Sequence, residues 1–335
     1  MESRSGPDRG LNLPRFGFGA APIGNMHAPM SDEEAVATVL AALEAGQTYC
    51  DVAPLYGHGL AERRLGEALA RTAITNALVS TKVGRLLEPC ARGEEESGIY
   101  KDTPPVSVVF DYSYDGVMRS FEASRERIGQ RIDILYVHDV DAATHGSREG
   151  SEARIRELVD AGGWRALDEL RSAGEVRAIG AGVNEWEPCD RLLDLADPDL
   201  FLLAGRYTLL EQEPLDRLMP RCQERGVGLV IGGVFNSGIL ATGAVKGAYY
   251  NYAPAPEPIL QRVAAMSAVC ESHGVPLAAA ALQFPLHHPV VRNVLIGART
   301  PAEIARNAEL AEIAIPPVLW AELKQSGLLR EDAPC

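Results

Sequence analysis

Eight short apolar segments alternate with helical patterns along most of the chain, and this alternation strongly limits the folds open to it. The segments read RFGFGA, TYCDV, ALVSTKVG, DILYVHDV, VRAIGAGV, LFLLAGR, VGLVIGGVF and VRNVLIGA. Each precedes a stretch with helical periodicity, such as DEEAVATVLAALEAG, where Ser31 is placed to cap the start and Gly46 to end the helix. Strands that alternate with helices indicate a parallel sheet, and eight such units predict an α/β fold, a closed (β/α)8 TIM barrel.

An open, doubly wound sheet is the main alternative to the barrel. Such a sheet usually carries G-x-G-x-x-G after an early strand, and the nearest approach here, GFGAAPIG, has the wrong spacing. We therefore predict one barrel domain over residues 11–335, after a disordered tail of residues 1–10. Long irregular loops at about 85–113 and 236–258 follow strands, so they should cover the active-site face as lids or as surface insertions.

Composition excludes several classes of partner. The net charge of −14 disfavours binding to nucleic acid or to an anionic membrane.

Six cysteines form no C-x-x-C pair and no His/Cys cluster has metal-ligand spacing, so we expect reduced thiols, no metal site and a cytoplasmic location. The polar start MESRSGPDRG is not a signal peptide, and no apolar run is long enough to span a membrane. We expect a monomer or weak homodimer.

Four titratable residues stand at or just beyond the carboxyl ends of predicted strands. Asp51 ends the second strand and Tyr56 lies in the loop after it, while Lys82 ends the third strand and His138 the fourth. A barrel brings strand ends into one mouth, so these side chains should meet. Taken singly, each has an ordinary explanation as a turn, surface or core residue. Lys82 is the most informative because a buried ammonium needs a carboxylate, and Asp51 on the neighbouring strand is the natural partner.

The four residues together predict a site for proton transfer. An ammonium beside a phenol stabilises the phenolate, so we expect Lys82 to lower the pKa of Tyr56 from about 10 towards neutral. Tyr56 would then exchange a proton with an alcohol or carbonyl oxygen, and a neutral His138 would orient that oxygen. None of these side chains carries a hydride, so a redox reaction here needs a cofactor.

The segments YCDVAPLYGHGLAERRLGEAL, VSTKVG and IDILYVHDVD resemble the aldo-keto reductase family, and the resemblance extends from FGFGAAPIG to IARNAEL. It implies that Asp51, Tyr56, Lys82 and His138 form a catalytic tetrad. It also implies an extended nicotinamide cofactor, NAD or NADP, at the barrel mouth without a Rossmann fold.

The resemblance further assigns cofactor contacts. Asn184 or its neighbour Glu185 would bind the carboxamide, Tyr207 would stack on the nicotinamide, and Asn307 would contact adenine. Ala204 stands where many relatives have a glutamine. The complete set of implied contacts is Gly19, Asn184, Tyr207, Val234, Phe235, Asn236, Ser237, Gly238, Leu240, Gly297, Arg299, Glu303 and Asn307, with residues 234–240 as the pyrophosphate loop.

The segment IGARTPAEIARN favours NAD over NADP. Relatives that prefer NADP carry a Lys and an Arg that grip the 2′-phosphate, and the matching positions here are Gly297 and Glu303. The Glu303 carboxylate would repel that phosphate, although Arg299 would offset part of the repulsion.

The resemblance is strongest to the branch that contains D-threo-aldose, L-fucose, L-galactose and pyridoxal 4-dehydrogenases. It implies oxidation of a cyclic hemiacetal, such as L-fucose, L-galactose or D-arabinose at C1, to a lactone. The site would have His58, Phe110 and Trp186 as substrate walls. Pyridoxal 4-dehydrogenase, an NADPH-dependent aldehyde or ketone reductase and a nicotinamide-sensing binding protein stay open as alternatives. A Schiff-base aldolase using Lys82 is disfavoured by Asp51, and a metal-dependent hydrolase by the lack of a ligand set.

Overall fold

A computed structural model describes residues 11–95 and 98–335, so the tail predicted at residues 1–10 lies outside the described residues. Its strands are β1 Phe16–Gly19, β2 Tyr49–Asp51, β3 Leu78–Val83, β4 Arg85–Pro89, β5 Val106–Phe110, β6 Ile134–His138, β7 Ala178–Val183, β8 Leu200–Ala204, β9 Gly228–Gly232, β10 Tyr249–Tyr250, β11 Ala253–Pro254 and β12 Val291–Gly297. Its α-helices are α1 Asp32–Glu44, α2 Leu60–Arg71, α3 Tyr114–Ile128, α4 Ala142–His145, α5 Arg148–Asp160, α6 Gly163–Ser172, α7 Glu187–Leu195, α8 Leu218–Arg225, α9 Ile239–Thr242, α10 Glu257–Ser272, α11 Leu277–Gln283, α12 Pro301–Glu312 and α13 Pro317–Gln325.

Eight parallel strands close into a barrel in the order β1-β12-β9-β8-β7-β6-β3-β2. These are the eight apolar segments of the sequence, and the predicted (β/α)8 barrel is confirmed. The register aligns Asp51 with Ser80, and His138 with Gly182. All the strands run the same way, so their carboxyl ends form one rim.

The barrel has two apolar cores and a polar upper interior. The larger core lies between the strands and the surrounding helices, and a smaller one fills the barrel, where Leu78, Ile134 and Leu200 pack with Leu11 at the bottom. Tyr49 and Tyr136 belong to this inner core and place their hydroxyl groups inside the barrel. Polar side chains are therefore buried where the strands approach the rim.

The two long loops contain more structure than the sequence suggested. The region predicted to be irregular at 85–113 holds the antiparallel hairpin of β4 and β5, which pairs Arg85 with Phe110. The loop at 236–258 contains α9 and the short β10–β11 ribbon. Two further helices, α5 and α13, were not predicted; they flank the barrel without following a strand directly. Among the described residues, no helix combines the length and apolar character needed to cross a bilayer.

Candidate active site

A run of left-handed backbone places Tyr56 over the end of the barrel. Gly57, His58 and Gly59 have φ values of 63°, 53° and 86°. A Cβ on Gly57 would lie 2.3 Å from the carbonyl oxygen of Gly24, so only glycine fits this contact. The Gly-rich turn after β2 thus lets the chain fold back with the Tyr56 hydroxyl above β3.

Lys82 lies at the centre of the site with all three of its N–H donors bonded. Its Nζ donates to Asp51 Oδ2 at 2.7 Å, to the Val52 carbonyl at 2.9 Å and to Tyr56 Oη at 3.1 Å. Gly182 leaves room for this side chain, because an added Cβ would lie 3.2 Å from Lys82 Cε. Since Lys82 donates to the Tyr56 oxygen, the hydroxyl hydrogen of Tyr56 must point away from the amine.

A chain of buried hydroxyl groups holds Asp51. Ser80 Oγ donates to Asp51 Oδ1 at 2.6 Å and lies 2.9 Å from Tyr49 Oη, which is 3.2 Å from Tyr136 Oη. Burial raises the pKa of Asp51, while Lys82 and Ser80 oppose that rise. The hydroxyls occupy one carboxylate oxygen and leave the other for Lys82.

His138 completes the group from the end of β6. Its ring is edge-on to the Tyr56 ring, with centroids 6.1 Å apart. Burial, helped by Arg85 and Lys82, holds the pKa of His138 well below its ordinary value, so the imidazole is neutral at pH 7. The structure therefore brings Asp51, Tyr56, Lys82 and His138 together at one point of the rim.

The predicted lowering of the Tyr56 pKa is wrong for the protein without ligands. Desolvation of the hydroxyl raises the pKa of Tyr56 well above 10, and the carboxylates of Asp51 and Asp139 raise it further, while Arg85 opposes them. The prediction considered only Lys82, whereas the folded site adds burial and two anions. Tyr56 therefore carries its proton at neutral pH.

Asp139 and Arg85 form a buried ion pair next to this group. Asp139 Oδ2 accepts a short hydrogen bond from Arg85 Nη2 and lies 3.2 Å from His138 Nε2. Asn184 Nδ2 donates to Asp139 Oδ1 at 3.0 Å, whereas Glu185 accepts from the Ala142 N–H at 2.7 Å. Of the two candidates for the carboxamide contact, only Asn184 is tied to the catalytic group.

Half of the barrel rim lacks side chains larger than a methyl group. The neighbouring strands β1, β12, β9 and β8 end at Gly19, Gly297, Gly232 and Ala204. Gly19 pairs with Gly297, and Ala204 with Gly232. This half of the rim lies opposite β2, β3 and β6, which carry Asp51, Lys82 and His138.

The placement of Tyr207 contradicts its predicted stacking role. Its ring is fully buried and packs on Phe284 and His288, with centroid distances of 5.2 and 5.9 Å. No face of the ring is exposed to a ligand. The residue follows β8 as predicted, but the chain turns its ring into the outer core.

The predicted pyrophosphate loop uses many of its groups internally. Val234 and Leu240 are buried in the core. The N–H groups of Asn236, Gly238 and Leu240 donate to carbonyls of Gly233 and Phe235. The Asn236 side chain bonds Thr208 and Gly205, and Ser237 Oγ accepts from the Tyr252 N–H. The side chains of Asn236 and Ser237 therefore hold the loop in shape rather than offering themselves to a phosphate.

The Arg299 side chain is also bound within the protein, although it was expected to offset the charge of Glu303 near a phosphate. Its guanidinium donates to the carbonyls of Met26 at 2.5 Å and Ala28 at 2.9 Å. Thr300 caps the start of α12, and the Glu303 side chain in its first turn accepts from the Arg299 N–H at 2.7 Å. Asn307 lies four residues later on the same face of α12. The segment thus presents the Glu303 carboxylate, with the exposed Arg306 one helical turn further along α12.

The three predicted substrate walls have different positions. Phe110 lies against the guanidinium of Arg85, 5.1 Å from its ring centroid, and so borders the site. His58 is buried beside Pro104, which leaves it no open face for a substrate. Trp186 lines a cleft of about 530 Å³ between α5 and α7. Of the three, Phe110 is the one with a contact to a residue beside the tetrad.

Sequence reasoning missed Arg85, Asp139 and Tyr100. Tyr100 comes from the long loop after β4, and its ring centroid lies 6.3 Å from that of Tyr56. Asp139 had a signal, since it is a second carboxylate directly after the strand-end His138, and Arg85 follows the Lys82 strand in the same way. No group of three or more His, Cys, Asp or Glu in the described part of the chain is arranged to hold a metal ion.

Comparison with known proteins gives a consistent result. A family model described as Aldo/keto reductase family matches residues 15–327. A pyridoxal 4-dehydrogenase from Microbacterium luteolum is 43% identical, with 98% of each chain covered. A D-threo-aldose 1-dehydrogenase from a Pseudomonas species is 40% identical, with 96% of each chain covered.

A solved structure shares the same architecture. The holo form of an aldo-keto reductase from Bacillus halodurans matches with a TM-score of 0.72 at 23% identity, covering 98% of this chain and 97% of the other. At this identity the likeness supports the barrel fold alone.

Proposed function

We propose, from the premise that this chain belongs to the aldo/keto reductase family, that it oxidises a cyclic hemiacetal to a lactone with NAD as hydride acceptor. The family uses nicotinamide cofactors, and the 40–43% identical relatives are named dehydrogenases. The substrates we favour are aldoses such as L-fucose, L-galactose and D-arabinose, oxidised at C1.

The observation that carries the proposal is the contact of Lys82 Nζ with both Asp51 and Tyr56. The amine fixes the Tyr56 oxygen and turns the hydroxyl hydrogen towards the barrel mouth. A substrate oxygen there exchanges a proton with Tyr56, and the neutral His138 ring orients it. In the oxidative direction Tyr56 must first lose its proton, so turnover should rise with pH. A bound oxidised nicotinamide supplies the carbon that accepts the hydride.

The residues at the rim fit the reactive end of such a cofactor. The strands opposite the tetrad end in glycine or alanine, which is the side-chain size that close approach of a planar ring to the backbone requires. Asn184 uses its Nδ2 on Asp139, which orients the amide and leaves its Oδ1 to accept from a carboxamide. Both features support binding of a nicotinamide at this place.

The region around α12 supports NAD rather than NADP. A 2′-phosphate is gripped by Arg or Lys. Here Arg299 is bound to backbone carbonyls and Glu303 holds a negative charge in the first turn of α12, so the exposed Arg306, one turn further on, is the cation that would have to serve instead. We expect Glu303→Lys to increase the use of NADP⁺ by about tenfold or more relative to NAD⁺. Glu309→Lys, on the same helix but beyond the cap, is the matched control and should leave the ratio unchanged.

Pyridoxal is the second candidate substrate, favoured by the 43% identical relative. Pyridoxal also forms a cyclic hemiacetal, so the same proton transfer by Tyr56 serves it. An NADPH-dependent reductase is disfavoured by Glu303, and a binding protein without turnover is disfavoured by the intact tetrad.

The direct test is NADH formation with a panel of L-fucose, L-galactose, D-arabinose and pyridoxal. We expect turnover with NAD⁺ on at least one of them, and much slower turnover with NADP⁺. Absence of turnover on all four would remove the substrate assignment. A strong preference for NADPH-dependent reduction of aldehydes would replace the proposal by the reductase alternative.

A further inference from the structure

We propose that Tyr112 is a positioning residue, whose hydroxyl group holds the backbone carbonyl of His138 and thereby fixes the His138 ring beside Tyr56. Tyr112 lies between β5 and α3 and is fully buried. The sequence did not predict it as part of the site. Its effect on turnover rests on the proposed function, whereas its contacts do not.

Tyr112 lies where the pairing of β3 with β6 stops. The register of these two strands ends at the pair of Val83 with Val137. Gly84 then turns the chain away from the barrel with a φ of 96°. Among the described residues, His138 therefore has no register partner on β3, although it is the last residue of β6.

The ring and the hydroxyl group of Tyr112 span the gap between Gly84 and His138. A Cβ on Gly84 would lie 2.2 Å from Tyr112 Cε1, so the ring packs directly on the glycine backbone. The hydroxyl donates to the His138 carbonyl at 2.8 Å. Since β3 carries Lys82, Tyr112 joins two strands that each hold a member of the tetrad.

The backbone of Tyr112 is itself held by the helices outside the barrel. Its N–H donates to Glu157 Oε1 on α5 at 3.0 Å, and Arg154 donates to the other oxygen of Glu157 at 2.6 Å. Its carbonyl oxygen would lie 2.0 Å from a Cβ on Gly163, so α6 begins directly against it. The hydroxyl therefore reaches His138 from a fixed frame, and losing it should let the end of β6 move.

The direction of the hydroxyl hydrogen follows from its neighbours. A carbonyl only accepts hydrogen bonds, so the single hydrogen of the Tyr112 hydroxyl points to His138. His145 Nε2 lies 3.3 Å from the same hydroxyl and must then be the ring nitrogen that donates. Burial and Arg154 lower the pKa of His145, so its ring is neutral at pH 8. Because Tyr112 bonds the backbone of His138, it takes up neither nitrogen of the His138 ring.

The first test is the turnover of Tyr112→Phe, which keeps the ring on Gly84 and removes only the hydroxyl. We expect kcat to fall by about tenfold while KM changes by about twofold or less, because the His138 ring loses its fixed position. Tyr114→Phe is the matched control: its hydroxyl bonds Glu169 on α6 at 2.6 Å, and its loss should leave kcat unchanged. A folded Tyr112→Phe with wild-type kcat would overturn the proposal.

The second test needs no turnover. Nitrogen NMR of protein labelled at its seven histidines distinguishes the two neutral tautomers, and His145→Gln and His138→Gln identify the two signals. At pH 8 we expect the Nε2–H form of His145 in the wild type, and a displaced His138 signal in Tyr112→Phe but not in Tyr114→Phe.

The outcomes of the NMR test separate the proposal from the proposed function. The Nδ1–H form of His145 in the wild type would show that the Tyr112 hydrogen points to His145, and would overturn the proposal even if Tyr112→Phe does not fold. The proposed function would then still stand. The expected signals without turnover on any hemiacetal would support the proposal and count against the function.

Discussion

Two buried aspartates lie at opposite ends of the barrel, and their partners show how the two ends differ. Asp51 at the mouth and Asp133 at the bottom are each about 3% exposed. The Asp51 carboxylate bonds two side chains, the Lys82 amine and the Ser80 hydroxyl, while its backbone carbonyl accepts from the Ala20 N–H at 2.8 Å. Asp133 bonds the Val79 N–H at 3.0 Å and pairs with Arg131 and Arg177, both partly exposed.

The difference follows from what each carboxylate connects. Asp133 also uses its own backbone to join β3 and β7, since its N–H donates to Val79 and its carbonyl accepts from Arg177. It therefore fastens strands together. Asp51 instead holds a cation against a hydroxyl group that faces the mouth. In barrels of this type the bottom serves stability and the mouth serves chemistry, and here equal burial accompanies both roles.

The largest expected effect comes from removing the amine at the mouth. Lys82→Met should lower kcat/KM by about 10³-fold, because Tyr56 loses its fixed donor and Asp51 its cation. Steady-state rates of NADH formation measure this loss, with circular dichroism to confirm the fold. If the variant keeps wild-type turnover, the mouth of the barrel would not differ from the bottom in its importance for the chemistry.

Removing the charge of Asp51 should affect both turnover and stability. Asp51→Asn leaves the Lys82 amine buried beside a neutral amide, so we expect kcat/KM to fall by about 10²-fold. The free energy of unfolding should fall by about 3 kcal/mol or more. Rates and urea denaturation of the same preparation test the two effects, and a change in stability without a change in rate would contradict this account.

The matched substitution at the bottom should affect stability alone. Asp133→Asn weakens the bond to the Val79 N–H and the pairing with Arg177, so we expect the free energy of unfolding to fall by about 1–3 kcal/mol. Urea denaturation measures this change. The kcat/KM of the folded fraction should stay within about twofold of the wild type. A large loss of turnover would show that the bottom end is coupled to the chemistry.

The pH dependence of stability should distinguish a third aspartate at the mouth. Folding raises the pKa of Asp139 to about 6, so the native protein binds this proton more tightly than the unfolded chain. The resulting stabilisation is present below about pH 4 and is lost as the pH rises through about 6. As the pH rises from about 4 to about 6, the wild type should therefore lose stability relative to Asp139→Asn. A difference in unfolding free energy that stays constant over this interval would contradict the raised pKa of Asp139.

The smallest effect is expected in the hydroxyl chain below Asp51. Ser80→Ala removes the bond to Asp51 Oδ1 but leaves the Lys82 contact, so kcat should fall by about threefold with KM unchanged. The pKa of Asp51 should rise, because Ser80 helps to hold the carboxylate ionised. A fall as large as that of Asp51→Asn would mean that Ser80, rather than Lys82, controls the carboxylate.

The barrel and the tetrad were predictable from the sequence because both depend on strand ends. An apolar strand fixes the direction of its last residues: Asp51 and His138 end β2 and β6, and Lys82 is the last residue but one of β3. Closure of the sheet then brings these side chains together, independently of the conformation of the loops. Side chains beyond the strand ends lack this constraint, and Tyr207 shows the result, since it follows β8 but packs into the outer core.

Residues whose positions depend on loop geometry could not be placed from the sequence. Arg299 was expected near a phosphate, but the carbonyls of Met26 and Ala28 come within reach only after folding. The pKa of Tyr56 was predicted with the wrong sign because the burial and the Asp139 charge arise from the assembled rim. Charge and desolvation depend on distances that the order of residues does not reveal.

The turnover of Tyr56→Phe, measured together with its binding of NAD⁺, tests the role of the Tyr56 hydroxyl most directly. We expect the variant to fold, to bind the cofactor as the wild type does and to lose about 10³-fold or more in kcat on its hemiacetal substrate. Full turnover by this variant would show that the proton passes through another group, and the central claim would fail.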